Sequence, residues 1–243
     1  MSILERIQTY NRLLHYRFQT ERAEMRFLLS RKNKDGSILD VGAHRGEFSY
    51  WLHRNFPHSP IVTFEPQPEL VEYLTRFKAA FELNRMSIAP VGLSSHIGIL
   101  KMHRPRAHWA TATFDEFCYD DDETDVFDVP VTTIDQYLDE HPELRPVRFI
   151  KCDVAFHEAE VLAGAERTLR EDRPELLVEW STPRRAYREK LFTLVQRLGY
   201  AMFQFEYGRL VPCVNAERHS PPSWELGPNY VLLPLGAASS AAA

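Results

Sequence analysis

Ile38-Leu39-Asp40-Val41-Gly42-Ala43-His44-Arg45-Gly46-Glu47-Phe48, followed by Ile61-Val62-Thr63-Phe64-Glu65, is the stretch that decides the fold. Ile38 to Val41 reads as the end of a buried strand. A turn flanked by Gly42 and Gly46 follows, and Phe48-Ser49-Tyr50-Trp51-Leu52 opens a helix. A strand, a glycine-bearing turn and a helix N-terminus bring backbone N–H groups and a positive dipole end beside a ligand. Glycines without side chains would let that ligand approach the main chain. Glu65 ends the next apolar run, where an α/β nucleotide-binding fold places an acid for ribose hydroxyls. Together they imply a nucleoside-containing cofactor. Without Glu65, a corner that binds nothing would serve equally well.

A dinucleotide fingerprint needs Gly-x-Gly-x-x-Gly. Here the pattern is Asp-x-Gly-x-x-x-Gly, and an anion at Asp40 would repel a pyrophosphate but attract a sulfonium or an ammonium. It resembles motif I of S-adenosylmethionine-dependent methyltransferases, whose cofactor carries both cations.

Composition bounds the rest. The chain has 243 residues, 44% apolar and 26% charged, with a formal net charge of −5. That suits one large α/β domain, or at most two small ones, and gives no footprint for nucleic acid. There is no apolar run of membrane-spanning length, so no membrane partner is expected. Residues 1 to 35 are rich in Arg, Glu and Lys, unlike a signal peptide. Cys118, Cys152 and Cys213 are widely spaced and unpaired in pattern, which fits a reduced, cytoplasmic compartment.

Along the chain, Ile3, Leu4, Ile7, Leu14, Phe18, Met25, Leu28 and Leu29 mark an N-terminal helical segment over residues 1–35. Packing on the core is its commoner use; covering the acceptor site or forming a homodimer are the others. The Lys34-Asp35-Gly36 turn starts the sheet at Ser37, and the domain runs over residues 36–235. Helices are expected over Pro68–Leu83, from Thr133, over His157–Arg170 and over Arg184–Leu198. Strands are expected over Ser87–Leu93, Gly98–His103, Val129–Thr132, Val147–Cys152, Glu175–Glu179, Ala201–Phe205 and Tyr230–Leu233. Residues 104 to 128 show no clear periodicity, and their acidic run 120–123 reads as a solvated face. Residues 236–243 have nothing to pack and read as a tail. Alternating strands and helices argue for a mostly parallel sheet covered on both faces.

Several separated blocks resemble the FkbM-type S-adenosylmethionine-dependent methyltransferases: 39–48, Phe64-Glu65-Pro66, 91–94, 131–135, 150–154 with His157-Glu158, 161–165 and 175–179. They follow the family's order across residues 37 to 235. The resemblance implies a class I (Rossmann-like) α/β methyltransferase fold with an antiparallel final strand, S-adenosylmethionine as cofactor, and O-methylation of a small-molecule or glycan hydroxyl. It places the methionyl end of the cofactor against Asp40, Gly42, Ala43 and Gly46. Glu65 and Pro66 then stand at the ribose, and Gly92 and Leu93 near the adenine. Asp153 faces the methyl group or acceptor.

One segment departs from the family. Where its pattern reads close to Asp-Val-Glu-Gly-His/Ala-Glu, this chain has Asp153-Val154-Ala155-Phe156-His157-Glu158. An acid has become Ala155 and a glycine Phe156, which disfavours any positive φ there. Weakened or redirected methyl transfer is the expectation. For the proton of an acceptor hydroxyl, Asp153, His157 and Glu179 are the candidates, near predicted strand ends. His157 serves as well as a packed histidine, Glu158 as an acid at a helix start. His103, His108, Trp109, Thr111 and Thr113 could contact an acceptor or anchor the loop. No ligand spacing points to a metal. The competing functions are a cofactor-binding protein with little catalysis and a protein or RNA methyltransferase.

Overall fold

The computed structural model describes residues 1–31, 35–107, 109–115, 124–180, 185–213 and 229–236, with the side chains of 109 and 185–188 left aside. Lys34, His108, Cys118, the acidic run 120–123, Arg184 and the tail after 236 lie outside the described residues.

Apolar residues at alternate positions explain a sheet covered on two sides, because side chains in a strand point alternately up and down. Leu39 and Val41 of β1 (Ser37–Val41), Ile150 and Cys152 of β7 (Val147–Cys152) and Leu176 and Val178 of β8 (Glu175–Glu179) enter one core. Their neighbours Ile38, Phe149 and Leu177 enter the other. The first core is closed by α5 (Ile134–Glu140), α6 (Glu158–Ala163), α7 (Glu166–Glu171) and α8 (Arg185–Arg197). The second is closed by α1 (Ile3–His15), α2 (Arg22–Ser30), α3 (Glu47–Asn55) and α4 (Pro68–Ala80).

The main sheet runs β10-β9-β11-β8-β7-β1-β2-β3. It adds β2 (Ile61–Phe64), β3 (Met86–Ala89), β9 (Tyr200–Glu206), β10 (Arg209–Pro212) and β11 (Asn229–Pro234) to the strands above. Strands β3, β2, β1, β7 and β8 pair in parallel. The antiparallel final strand is β11, inserted between β8 and β9. Strand order reverses around β1, whose neighbours are β2 and β7. Ligands of open α/β sheets bind outside the carboxyl ends of strands at such a switch point.

The structure alters several sequence expectations. Ser87–Leu93 is two strands in different sheets: β3, and β4 (Gly92–Leu93), which joins β5 (Gly98–Pro105) and β6 (Thr124–Thr132) in a small sheet ordered β4-β6-β5. The aperiodic stretch 104–128 therefore ends in a strand: β6 begins at Thr124 and pairs with β5 along its length. The helix expected over His157–Arg170 is two, because the chain breaks at Gly164, where a Cβ would lie 2.1 Å from the Ser94 carbonyl oxygen. Helix α4 stops at Ala80, and Glu82 takes a positive φ.

Helices α1 and α2 are joined by a π-helical turn, Tyr16–Thr20. They pack on the core as expected. The Trp51 indole donates to the Leu13 carbonyl at 3.1 Å, and Arg12 donates to Glu47 at 2.5 Å and to the Tyr73 hydroxyl at 2.8 Å. Ile3, Leu4 and Ile7 of α1 stay exposed.

Candidate active site

At the carboxyl ends of β1, β2 and β7 lies a cleft with an empty volume of about 560 Å³. Val41, Gly42 and His44 form one side, and Phe64, Glu65, Pro66 and Gln67 the end of β2. The small sheet and its connection roof it with Leu93, Met102, Ala112, Thr113 and Phe114. Asp153, Val154 and Ala155 close the far side.

Glu65 is held in place by two backbone donors. Its carboxylate accepts from the His44 backbone N–H at 2.9 Å and from the Gln67 N–H at 3.0 Å, one per oxygen. Each oxygen keeps a lone pair for a ribose hydroxyl. Burial raises its pKa to about 7, against those two N–H donors, which lower it. His44 stays neutral at ordinary pH, its pKa lowered to about 4 by burial and then by the Arg45 charge. An acid at the end of β2 beside an apolar slot of Phe64, Val91, Leu93 and Phe114 fits adenosine, and the carboxyl groups beyond it fit a sulfonium.

The glycines serve packing. Gly42 has φ +74°, and a Cβ there would lie 1.8 Å from the Asp153 carbonyl oxygen, so β1 and the 153 loop touch through it. Gly46 has φ +79° and its missing Cβ faces Phe77 and Leu74 of α4. Beside the expected room for a ligand, the missing side chains thus allow close approach of protein to protein.

Of the residues expected at the cofactor, Gly42, Glu65, Pro66, Gly92, Leu93 and Asp153 line the cleft. Asp40, Ala43 and Gly46 do not. Asp40 is fully buried and accepts from the Ser49 hydroxyl at 2.5 Å, so it braces β1 against α3 and is turned from the cleft. Gly46 caps α3 behind the turn, and Ala43 is buried beside it.

The carboxyl candidates meet; the histidine does not join them. Asp153 and Glu179, at the ends of adjacent strands β7 and β8, share a hydrogen bond. Burial and the neighbouring Asp153 charge raise the pKa of Glu179 well above the ordinary carboxyl value. For Asp153, burial acts upward, but the adjacent Lys151 and the bond from Glu179 bring its pKa below the usual value. His157 lies 3.0 Å from the Ser94 hydroxyl through Nε2 and packs edge-on to Phe114. It is 9% exposed and absent from the cleft wall. It ties the start of α6 to Ser94, which follows β4.

Ala155 and Phe156 both adopt left-handed backbone, with φ +49° and +77°. The family glycine position thus keeps its positive φ with a phenylalanine in it. Other contacts hold the loop: Thr113 Oγ1 donates to the Ala155 carbonyl, and Glu158 accepts from the Val154 N–H at 3.1 Å. Burial raises Glu158 to a pKa of about 7.

Sequence reasoning missed Lys151, although a lysine inside the apolar run of β7 was a visible anomaly. It also missed Tyr16 and Glu21, which the π-helical turn brings within reach of the Asp153 and Lys151 charges. No local pattern marks that approach. Among the described residues, no three His, Cys, Asp or Glu side chains are grouped to hold a metal ion, and no helix is long and apolar enough to cross a membrane.

A parallel sheet with one inserted antiparallel strand, an acid after β2 and carboxyl groups at the β7 and β8 ends define the class I methyltransferase fold. The family described as Methyltransferase FkbM domain matches residues 40–202. The chain belongs to the FkbM methyltransferase family. It is similar to the FkbM methyltransferase of Methylobacillus flagellatus KT, with a TM-score of 0.51 and 16% identity, over 82% of this chain and 43% of that one. Over 66 residues it is 36% identical to methyltransferase sdnD of Sordaria araneosa, which is 27% of this chain and 26% of that protein. The chain thus spans less than half the length of either. Aeropyrum pernix fibrillarin, solved with natively bound S-adenosyl-L-methionine, gives a TM-score of 0.46 at 11% identity, over 82% of this chain and 66% of that one.

Proposed function

We propose that this chain methylates a hydroxyl of a small molecule, sugar or natural product. The observation that carries this reading is the Asp153–Glu179 carboxyl pair beside the cleft that Glu65 closes at its other end. S-adenosylmethionine supplies an electrophilic methyl group when bound. Glu65, with Gly92 and Leu93, would hold its nucleoside. Asp153, whose side chain is 42% exposed, would orient the acceptor hydroxyl and take its proton as the new carbon–oxygen bond forms.

A cofactor-binding protein of little turnover is the second reading. It is favoured by Ala155, which lines the cleft where the family pattern carries an acid. Calorimetric titration with S-adenosylmethionine and S-adenosylhomocysteine tests the base of both readings. A screen of hydroxyl acceptors with tritiated methyl donor, on this chain and on Ala155→Glu/Phe156→Gly, then separates them. Transfer by the parent chain supports the first, binding without transfer the second, and label on added RNA or protein would redirect the acceptor class. The buried thiol of Cys152 and the free Cys213 support a reducing, cytoplasmic setting. The exposed Ile3, Leu4 and Ile7 support a homodimer through α1, which sedimentation at two concentrations checks.

A further inference from the structure

Lys151 is an ammonium in a strand whose other inward residues are apolar. It is 4% exposed. Its Nζ donates to the Gly42 carbonyl at 2.9 Å and lies 3.2 Å from Asp153 Oδ2, 3.8 Å from Asp40 Oδ1 and 5.2 Å from the centre of the Phe48 ring.

More carboxyl groups surround it than it can neutralise. Asp40 comes from β1, Asp153 from the end of β7, Glu179 from β8 and Glu158 from α6. Glu21 precedes α2, Glu24 is in it, and Glu47 starts α3. Tyr16, His44, Glu65 and Cys152 are the other titratable groups within electrostatic reach among the described residues. Glu47 is matched by Arg12, while Glu21 and Glu24 accept from Asn229. A buried carboxylate without a cation keeps its proton. The hydrogen bond between Asp153 and Glu179 requires one proton between them. Lys151 makes its ion pairs with Asp153 and Asp40, the contact with Asp153 being the shorter.

We propose that Lys151 is a positioning residue that fixes the order of ionisation in the pair, making Asp153 the carboxylate and Glu179 the acid that donates to it. The same ammonium grips the Gly42 carbonyl, so one side chain ties the β1 turn to the charge state of the pair. The use of this order rests on the methyltransferase reading, in which the carboxylate facing the cleft is the one that meets the acceptor hydroxyl.

The test is side-chain carboxyl ¹³C NMR of the whole chain from pH 5 to 9, with resonances assigned by Asp153→Asn and Glu179→Gln. In the parent protein, Asp153 is expected to lose its proton at lower pH than Glu179. In Lys151→Met, Asp153 should bind its proton at least tenfold more tightly and Glu179 less tightly; Lys151→Arg should restore the parent order. An unmoved Asp153 in folded Lys151→Met overturns the proposal. If that variant does not fold, Glu179→Gln decides with Lys151 in place: Asp153 ionised at pH 5 supports the proposal, and Asp153 neutral there overturns it. Failure of the methyltransferase reading shows separately, as no calorimetric binding of S-adenosylmethionine, and leaves these titrations of the unliganded chain unaffected.

Discussion

Thr113 Oγ1 donates to the carbonyl of Ala155, so the roof of the cleft is latched to the loop that carries Asp153. Thr113 is itself fixed by reciprocal backbone bonds with His103 and by the Asp115 N–H on its hydroxyl. At 1% exposed, it sits where an unmet partner is costly. Thr113→Val should lose about 1–2 kcal/mol of stability and weaken S-adenosylhomocysteine binding, while Thr113→Ser keeps both. Denaturant melts and calorimetry on the two variants check this; equal behaviour of Val and Ser would sink the latch.

Phe156 holds φ +77° without being glycine. Left-handed backbone on a bulky residue costs about 1–3 kcal/mol, against about 0.5–1 kcal/mol for the added freedom of glycine in the unfolded chain. Phe156→Gly should therefore be neutral to stabilising, by about 1 kcal/mol, in urea unfolding. A loss beyond about 1 kcal/mol would mean that the ring contributes packing that outweighs the strain.

Gly42 and Gly98 predict opposite outcomes. A Cβ at Gly42 would meet the Asp153 carbonyl at 1.8 Å with φ at +74°; at Gly98 the nearest atom is 3.6 Å away. Gly42→Ala should destabilise by several kcal/mol and abolish cofactor binding, since backbone has to move; this is on the order of the larger single-site effects. Gly98→Ala should stay within about 0.5 kcal/mol. Thermal melts of both proteins provide the comparison.

Glu65 makes nucleoside binding depend on pH. Its pKa is raised to about 7, and ribose hydroxyls donate best to the ionised form. A ligand that selects the deprotonated group binds more tightly as pH rises, so affinity should climb from pH 6 to 8 and level off above. Adenosine, which does not titrate in that range, is the probe. Glu65→Gln should flatten the profile and weaken binding about tenfold or more, in line with a lost charge-assisted bond of about 1.5–3 kcal/mol.

His157 links acid to unfolding. Its folded pKa is lowered to about 4, chiefly by burial, from an ordinary value of 6.5. Between those values the unfolded chain binds a proton that the folded chain refuses, so stability falls as pH drops from about 6.5 to about 4. The loss is on the order of 2–3 kcal/mol from this residue. His157→Gln, which can still bond Ser94, should flatten that limb in melts at pH 4.5 and 7. A limb of unchanged steepness would assign the acid sensitivity to the similarly lowered His44 and His53.

The main sheet was legible because period-two burial in β1, β7 and β8 is written in consecutive apolar residues. Glu65 was legible for a related reason: one acid ends a wholly buried run. The small sheet was not, since β6 begins with Thr124-Asp125-Val126-Phe127-Asp128, where only one face is apolar and prolines and acids interrupt the pattern. Asp40 was misjudged because an acid at a strand end looks the same whether it faces a ligand or, as here, Ser49 of the next helix. Ala155 and Phe156 were recognised as departures, but whether the loop kept its left-handed turn depended on Thr113 and Glu158, which sequence alone does not bring together.

Strand β11 sits between β8 and β9, pairing with both, although every other described strand precedes it in the chain. As the polypeptide emerges during synthesis, β8 and β9 therefore wait as two raw edges, apolar and unpaired. Asn229, the first residue of β11, also supplies the amide that Glu21 and Glu24 accept from. The N-terminal helices gain this tie only once β11 is in place. Completion of the sheet and fastening of α2 are thus linked, and the nascent chain is most exposed to aggregation just before β11 pairs.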